Sequence, residues 1–219
     1  MGERGSKTFR SRHVIKYCNF PLMYYKNLAD QIIEMKNADL AFRDKLIKSG
    51  ELSNGYNAEM EQIHNDNSVK LDEIINTIGY PTIDKVGKEA NEAAWLIIQH
   101  AISQPRFMKK CAELLSDEVS HKNADPKQLA YLTDRIAVFE DKLQLFGTNF
   151  DWDENGELNP NMYDDLIKVN QRRKSIGLNT LEEQTEIIRQ HALSEDQFPP
   201  ADFQAKNYNM KTGEKELAG

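Results

Sequence analysis

Glu89-Ala-Asn-Glu-Ala93-Ala-Trp-Leu-Ile-Ile98-Gln-His100 is the stretch that decides the fold class. Successive side chains on a helix point about 100° apart, so the unbroken apolar run Ala93 to Ile98 covers every side and leaves no face for water. A helix of this kind belongs at the centre of a bundle. The pattern predicts it over Lys85 to Ile102. At its C-terminal end Gln99 and His100 bring polar chemistry into the most apolar segment of the chain.

Upstream, the spacing predicts two helices. The first runs from Met23 to Ser49, with Leu28, Ile32, Met35, Leu40 and Leu46 on its inner face. Gly50-Glu-Leu-Ser-Asn-Gly55 breaks it. The second runs from Asn57 to Thr77 with the stripe Met60, His64, Asn67, Leu71, Ile74 and Ile78, and Gly79-Tyr-Pro-Thr82 stops it because the residue before proline is pushed out of the helical region. Downstream, Ser103-Gln-Pro105 restarts the chain with proline in a first turn, and Phe107, Met108, Cys111, Leu114 and Leu115 face inward along a helix to Asp117. Asp125-Pro126 repeats that signal, an acid at the cap and proline after it. The helix it opens, to Lys142, carries Leu129, Leu132, Ile136, Phe139 and Leu143 on one face. A second face carries Tyr131, Asp134 and Val138, with Arg135 beside it.

Gln144 to Trp152 alternates and is rich in aromatic residues, Asp153-Glu-Asn-Gly156 is a turn, and Glu157 to Pro160 returns, which predicts a small β-hairpin near residues 144–160. Two short helices, Tyr163 to Ser175 and Thr180 to Ala192, close the domain. The expected fold is mainly α, a compact bundle of five to seven helices around one buried central helix. It comprises a basic N-terminal arm over 1–20, a single helical domain over 21–192 and a flexible polar tail over 193–219.

The formal net charge of −7 argues against nucleic acid as a partner of the whole surface, although Arg4, Lys7, Arg10, Arg12 and Lys16 make the arm itself basic. The two cysteines, Cys18 and Cys111, stand in no metal-type spacing and read as reduced thiols of a cytoplasmic protein. No stretch approaches the ~20 apolar residues of a membrane helix, and no apolar region of an export signal follows the basic start.

There is no P-loop, dinucleotide fingerprint, nucleophile elbow or His-Glu-x-x-His. Asp151-Trp-Asp153-Glu-Asn155-Gly156 resembles the opening of a calcium loop, but the bidentate acid required at its twelfth position is Met162 here, so a hairpin turn is expected. Arg172-Arg173-Lys174 reads as a solvated basic face, or else as a clamp for phosphate or carboxylate. The remaining chemistry lies in polar residues on apolar stripes: His64 and Asn67, Gln99 and His100, Asp134 and Arg135, with Gln144 and Thr148 on one side of a strand. Each buried polar group costs stability unless it finds a partner, and the economical solution is that they partner one another.

These residues also carry a family resemblance. Gly55-Tyr56, Met60-Glu61, His64, Asn67 and Val86-Gly87 are its first elements. Ala93-Ala-Trp-Leu-Ile-Ile-Gln-His-Ala101 and Leu129-Ala-Tyr-Leu-Thr-Asp-Arg135 follow, then Gln144 with Phe146-Gly-Thr148. Asp151 to Glu154, Gly156-Glu-Leu158, Arg172-Arg173 and Gly177-Leu178 complete it. Together they resemble a bacterial domain-of-unknown-function family with the signature Trp-Leu-Ile-x-Gln-His-Ala, Tyr-Leu-x-Asp-Arg and Gln-x-Tyr/Phe-Gly-Thr, over residues 24–190. The chain departs from that pattern at Tyr80, Phe146 and Asn149, where tryptophan, tyrosine and glutamine are common. The resemblance implies a helical, soluble, bacterial-type protein and supplies no activity.

The leading functional expectation is a hydrolytic or transfer enzyme, or a small-molecule pocket, with His100, His64 and Asp134 as catalytic residues and Asp134 orienting a histidine. Gln99, Asn67, Arg135, Gln144 and Thr148 would bind the ligand, Arg135 holding an anionic group. The alternative is a non-catalytic binding or adaptor domain whose buried polar residues are structural, its partner a small molecule or peptide. A two-histidine metalloprotein is a third option. The residues specify no metal-ligand set and leave the cofactor unknown.

Overall fold

The computed structural model describes residues 24–52, 56–195, 197 and 199. The expected basic arm lies outside these residues, as does most of the expected tail.

Among the described residues the chain forms α1 (Lys26–Ser49), α2 (Ala58–Ile78), α3 (Ile83–Val86), α4 (Lys88–His100), α5 (Pro105–Ser120) and α6 (Pro126–Phe139). A hairpin of β1 (Phe150–Trp152) and β2 (Leu158–Pro160) follows, then α7 (Leu166–Ser175) and α8 (Leu181–Ser194). The mainly α expectation holds. The single predicted third helix is two elements, α3 and α4, because Gly87 stands between them at φ +80. A side chain there would be strained and would meet the Tyr24 hydroxyl 3.3 Å away.

As its composition requires, α4 is the central element. It packs most extensively on α1 and also touches α2, α3, α5 and α6. Ala93, Ala94, Ile97 and Ile98 are fully buried with Ile32 of α1, Leu71 of α2, Met108, Cys111 and Leu115 of α5, and Leu132 of α6. Alanines on α4 leave room for the large side chains of its neighbours, and each fully buried Ile or Leu contributes about 1.5–3 kcal/mol. The caps read from the sequence are present: the Asp125 side chain accepts from Lys127 N, and Pro126 opens α6. Phe139 and Leu143, expected inside, are about half exposed because α6 ends at Phe139.

The segment after α6 departs more from expectation. The hairpin is short and antiparallel, pairing Phe150 with Pro160 and Trp152 with Leu158. Residues 144–149 are not its strand but a loop gathered around a carboxylate on α6. Arg172 and Arg173 are not a solvated face either. Arg172 makes a bidentate pair with Asp164 at 2.8 and 2.6 Å. Arg173, 1% exposed, donates to Asn179 O, Asn179 Oδ1 and Phe146 O. Arg189 of α8 ties that helix to β2 through Leu158 O at 3.0 Å and Asn159 Oδ1 at 2.7 Å. No described helix is long and apolar enough to cross a membrane.

Candidate functional site

Three helices converge on one carboxylate. Asp39 of α1 is 1% exposed. Its Oδ2 lies 2.7 Å from His100 Nδ1 at the end of α4, and its Oδ1 lies 3.2 Å from His64 Nε2 on α2. The imidazoles stand with centroids 4.9 Å apart. On the far side of His64, Nδ1 is 2.7 Å from the Tyr56 hydroxyl, just before α2.

An ionised carboxylate only accepts hydrogen bonds, and this fixes the protons. His100 donates from Nδ1, so in the neutral ring its Nε2 keeps a lone pair. In its neutral ring His64 donates from Nε2 and accepts the Tyr56 proton at Nδ1. Burial works to raise the Asp39 carboxyl, but hydrogen bonds from His100 and His64, with their charges, hold it well below the usual carboxylate range. Burial, helped by the Glu61 charge, raises the Tyr56 phenol, which therefore stays a donor. His64 is 7% exposed, whereas 23% of the His100 side chain is accessible. Among the described residues His100 Nε2 has no hydrogen-bond partner.

The surroundings hold these groups in place. Asn67 Nδ2 donates to Met35 O at 3.2 Å, one turn before Asp39, so its role in the structure is to fix α2 to α1. Just past His100, Ser103 Oγ donates to Glu61 Oε1 at 2.7 Å and Gln104 Nε2 to Asn65 Oδ1 at 3.0 Å. The turn after α4 is thus fastened to α2, and His100 with it.

The expected constellation therefore divides. His64 and His100 meet, but Asp134 is not the acid between them. Its buried carboxylate accepts from Leu145 N at 2.8 Å, from Phe146 N, from Thr148 N at 3.0 Å and from Thr148 Oγ1 at 3.1 Å. Burial pushes this carboxyl up while the amides of Leu145, Thr148 and Phe146 pull it back. Gln144 is saturated as well, donating to Asn149 O and Asn161 O and accepting from Asn149 N. Asp134, Gln144 and Thr148 thus form a knot of main-chain bonds, and Gln144 and Thr148 do not share a strand face. Gly147 closes the loop at φ +62, where a Cβ would stand 2.8 Å from a Leu181 methyl. Gln99 and Arg135 form a third group: Arg135 Nη1 donates to Gln99 O at 3.3 Å.

The sequence pattern that puts Leu40 on the inner face of α1 leaves Asp39 off it. Leu40 is 40% exposed, and the buried stripe is Ala29, Ile32, Met35, Asp39 and Leu46. The seven-residue step from Ile32 to Asp39 was the available signal.

The donor atoms of Asp39, His64 and His100 lie within 4.8 Å of one another, a set that could hold a metal ion. Two imidazoles and a carboxylate suit zinc or iron. To bind a metal through the nitrogens that face Asp39, both imidazoles would give up those N–H protons, so the metal-bound and hydrogen-bonded arrangements exclude each other. The Asp151–Gly156 segment is used differently: Asp153 Oδ1 accepts from Asn155 N and Glu157 N, closing the hairpin turn. A cavity of about 510 Å³ forms a groove between α7 and α8 lined by Ile167, Lys174, Leu178 and Glu183. It touches none of the histidines; of the three side chains in the cluster that of His100 is the most exposed, at 23%.

No curated protein and no solved structure matches the chain. A family model described as a family of unknown function (DUF6624) matches residues 26–194, nearly all of the described structure. The chain belongs to that family.

Proposed function

We propose that this protein is a hydrolytic or transfer enzyme working by general acid–base catalysis, with His100 as the base. The observation that carries the reading is the 2.7 Å bond from His100 Nδ1 to a buried carboxylate, which leaves Nε2 as the accessible lone pair. His100 Nε2 takes a proton from water or from a substrate hydroxyl, and the imidazolium so formed is stabilised by Asp39. Asp39, His64 and Tyr56 are positioning residues. His64 occupies the second carboxylate oxygen, and Tyr56 fixes the His64 tautomer, so Asp39 has no freedom to turn away.

The test is turnover of a panel of carboxylic esters, amides and phosphate esters by wild type, His100→Asn and Asp39→Asn, each checked for folding by circular dichroism. Both variants are expected to lose about 100-fold or more. Equal turnover by His100→Asn would end the reading.

A second reading has its own support in the 4.8 Å grouping of donor atoms, a transition-metal centre on the same three residues. Metal analysis of untagged protein separates the two: stoichiometric metal, lost in His64→Asn, favours the centre.

A further inference from the structure

We propose that Asp39, His64 and His100 take up a divalent transition-metal ion of the zinc class reversibly, that both histidines pass to their opposite tautomers as it enters, and that Tyr56 is the residue that permits the exchange. The ion-bound and ion-free forms are then two states of one site. The proposal rests on the acid–base reading only for its effect on turnover.

The two buried acids of this chain keep different company. Asp134 is held mainly by main-chain amides, which keep their protons. Among the described residues the Asp39 side chain accepts only from two imidazoles. An imidazole can exchange an N–H for a metal, its proton moving to the far nitrogen. The three donor groups come from α1, α2 and α4, and their ligand atoms lie within 4.8 Å of one another. Tetrahedral donors around zinc stand about 3.3 Å apart. The separations from Asp39 to the two rings, 2.7 and 3.2 Å, are already close to that. Three protein ligands leave a fourth position for water.

Each ring has a far nitrogen able to take the displaced proton. That of His100 has no partner among the described residues, on a side chain partly open to water. That of His64 is buried and stands 2.7 Å from the Tyr56 hydroxyl. A phenol both donates and accepts. It donates to the bare Nδ1 in the ion-free form and accepts from Nδ1–H in the ion-bound form, supplying the outer contact that orients a metal-bound histidine. Each neutral ring keeps one proton throughout, so no net proton is released. With Nδ1 on the metal and Nε2 protonated, His100 has no lone pair left, and the loaded protein cannot use it as a base.

The test is titration of the full chain, freed of metal, with zinc against a competing chelator, for wild type, His64→Asn and Tyr56→Phe, each checked for folding by circular dichroism. Nitrogen-15 NMR follows the imidazoles. Wild type should bind one ion at this site, with the His64 proton moving to Nδ1 and the His100 proton to Nε2. Tyr56→Phe should bind about 10–100-fold more weakly, and His64→Asn more weakly still. Magnesium should leave the ring signals unchanged. Absence of binding, ring protons that stay in place, or zinc held by His64→Asn or Tyr56→Phe as tightly as by wild type overturns the proposal. Saturating zinc should also suppress His100-dependent turnover, and chelation should restore it; turnover indifferent to zinc overturns the proposal too. Zinc binding with the tautomer exchange, where no His100-dependent turnover is found, would retain the site and remove only the acid–base reading.

Discussion

Asp39 and His100 are 61 residues apart in the chain and 2.7 Å apart in space, Oδ2 to Nδ1. One carboxylate thereby joins the first long helix to the end of the central one. His64 on its other oxygen brings in the helix between them, at 3.2 Å. The same group serves stability and chemistry.

Replacing that group should therefore be costly. Asp39→Asn removes the charge that two buried hydrogen bonds are built on, and an amide offers one acceptor where two are needed. Its unfolding free energy in urea should fall by about 3 kcal/mol. A loss below ~1 kcal/mol would mean that the carboxylate is not ionised and doubly bonded.

The depressed Asp39 carboxyl also sets a pH dependence. A group whose pKa is lower folded than unfolded contributes stability above the unfolded value, about 3.9 for aspartate, and loses it as pH falls through the folded value. Urea unfolding from pH 5 down to pH 2.5 should show wild type converging on Asp39→Asn below about pH 4. A gap between the two proteins that stays constant or widens toward low pH contradicts this.

Asp134 should behave as a structural acid. Asp134→Asn presents an amide NH₂ to donors that now share a carboxylate, so stability should fall by ~2–4 kcal/mol. The Leu145, Phe146 and Thr148 amides should exchange with solvent faster. Turnover per folded molecule should be unchanged, whereas a direct role in the chemistry would abolish it in protein that remains folded.

Cys111 should be chemically silent. It is fully buried on α5, and burial, with the Asp72 charge, pushes its thiol up to about 12. In a Cys18→Ser background, modification by a disulfide reagent should occur at the rate of unfolding and accelerate with urea. Rapid labelling in native buffer would contradict the packing around α4 and α5.

How far the residues foretell this molecule depends on the range of the interactions. The position of α4 follows from Ala93 to Ile98 alone, because a helix apolar on every side has only one place to go. Local caps such as Asp125-Pro126 are equally legible. The loop at 144–149 is not, because its alternation imitates a strand while its conformation is dictated by the Asp134 carboxylate, ten or more residues away. Arg173 looks like surface because its three acceptors, two on Asn179 and one on Phe146, are brought together only by folding. His64 and His100 were visible as polar residues on apolar stripes. Their acid is hidden by a single leucine: a stripe that runs through Leu40 leaves Asp39 outside it.

Nitrogen-15 NMR of the two imidazoles in the neutral state, in wild type and in Asp39→Asn, reads the protons of this cluster directly. His100 should carry its proton on Nδ1 with Nε2 bare, His64 should carry its proton on Nε2, and Asp39→Asn should release the His100 tautomer. A proton on His100 Nε2, or ring signals indifferent to the loss of the carboxylate, would contradict this arrangement of protons.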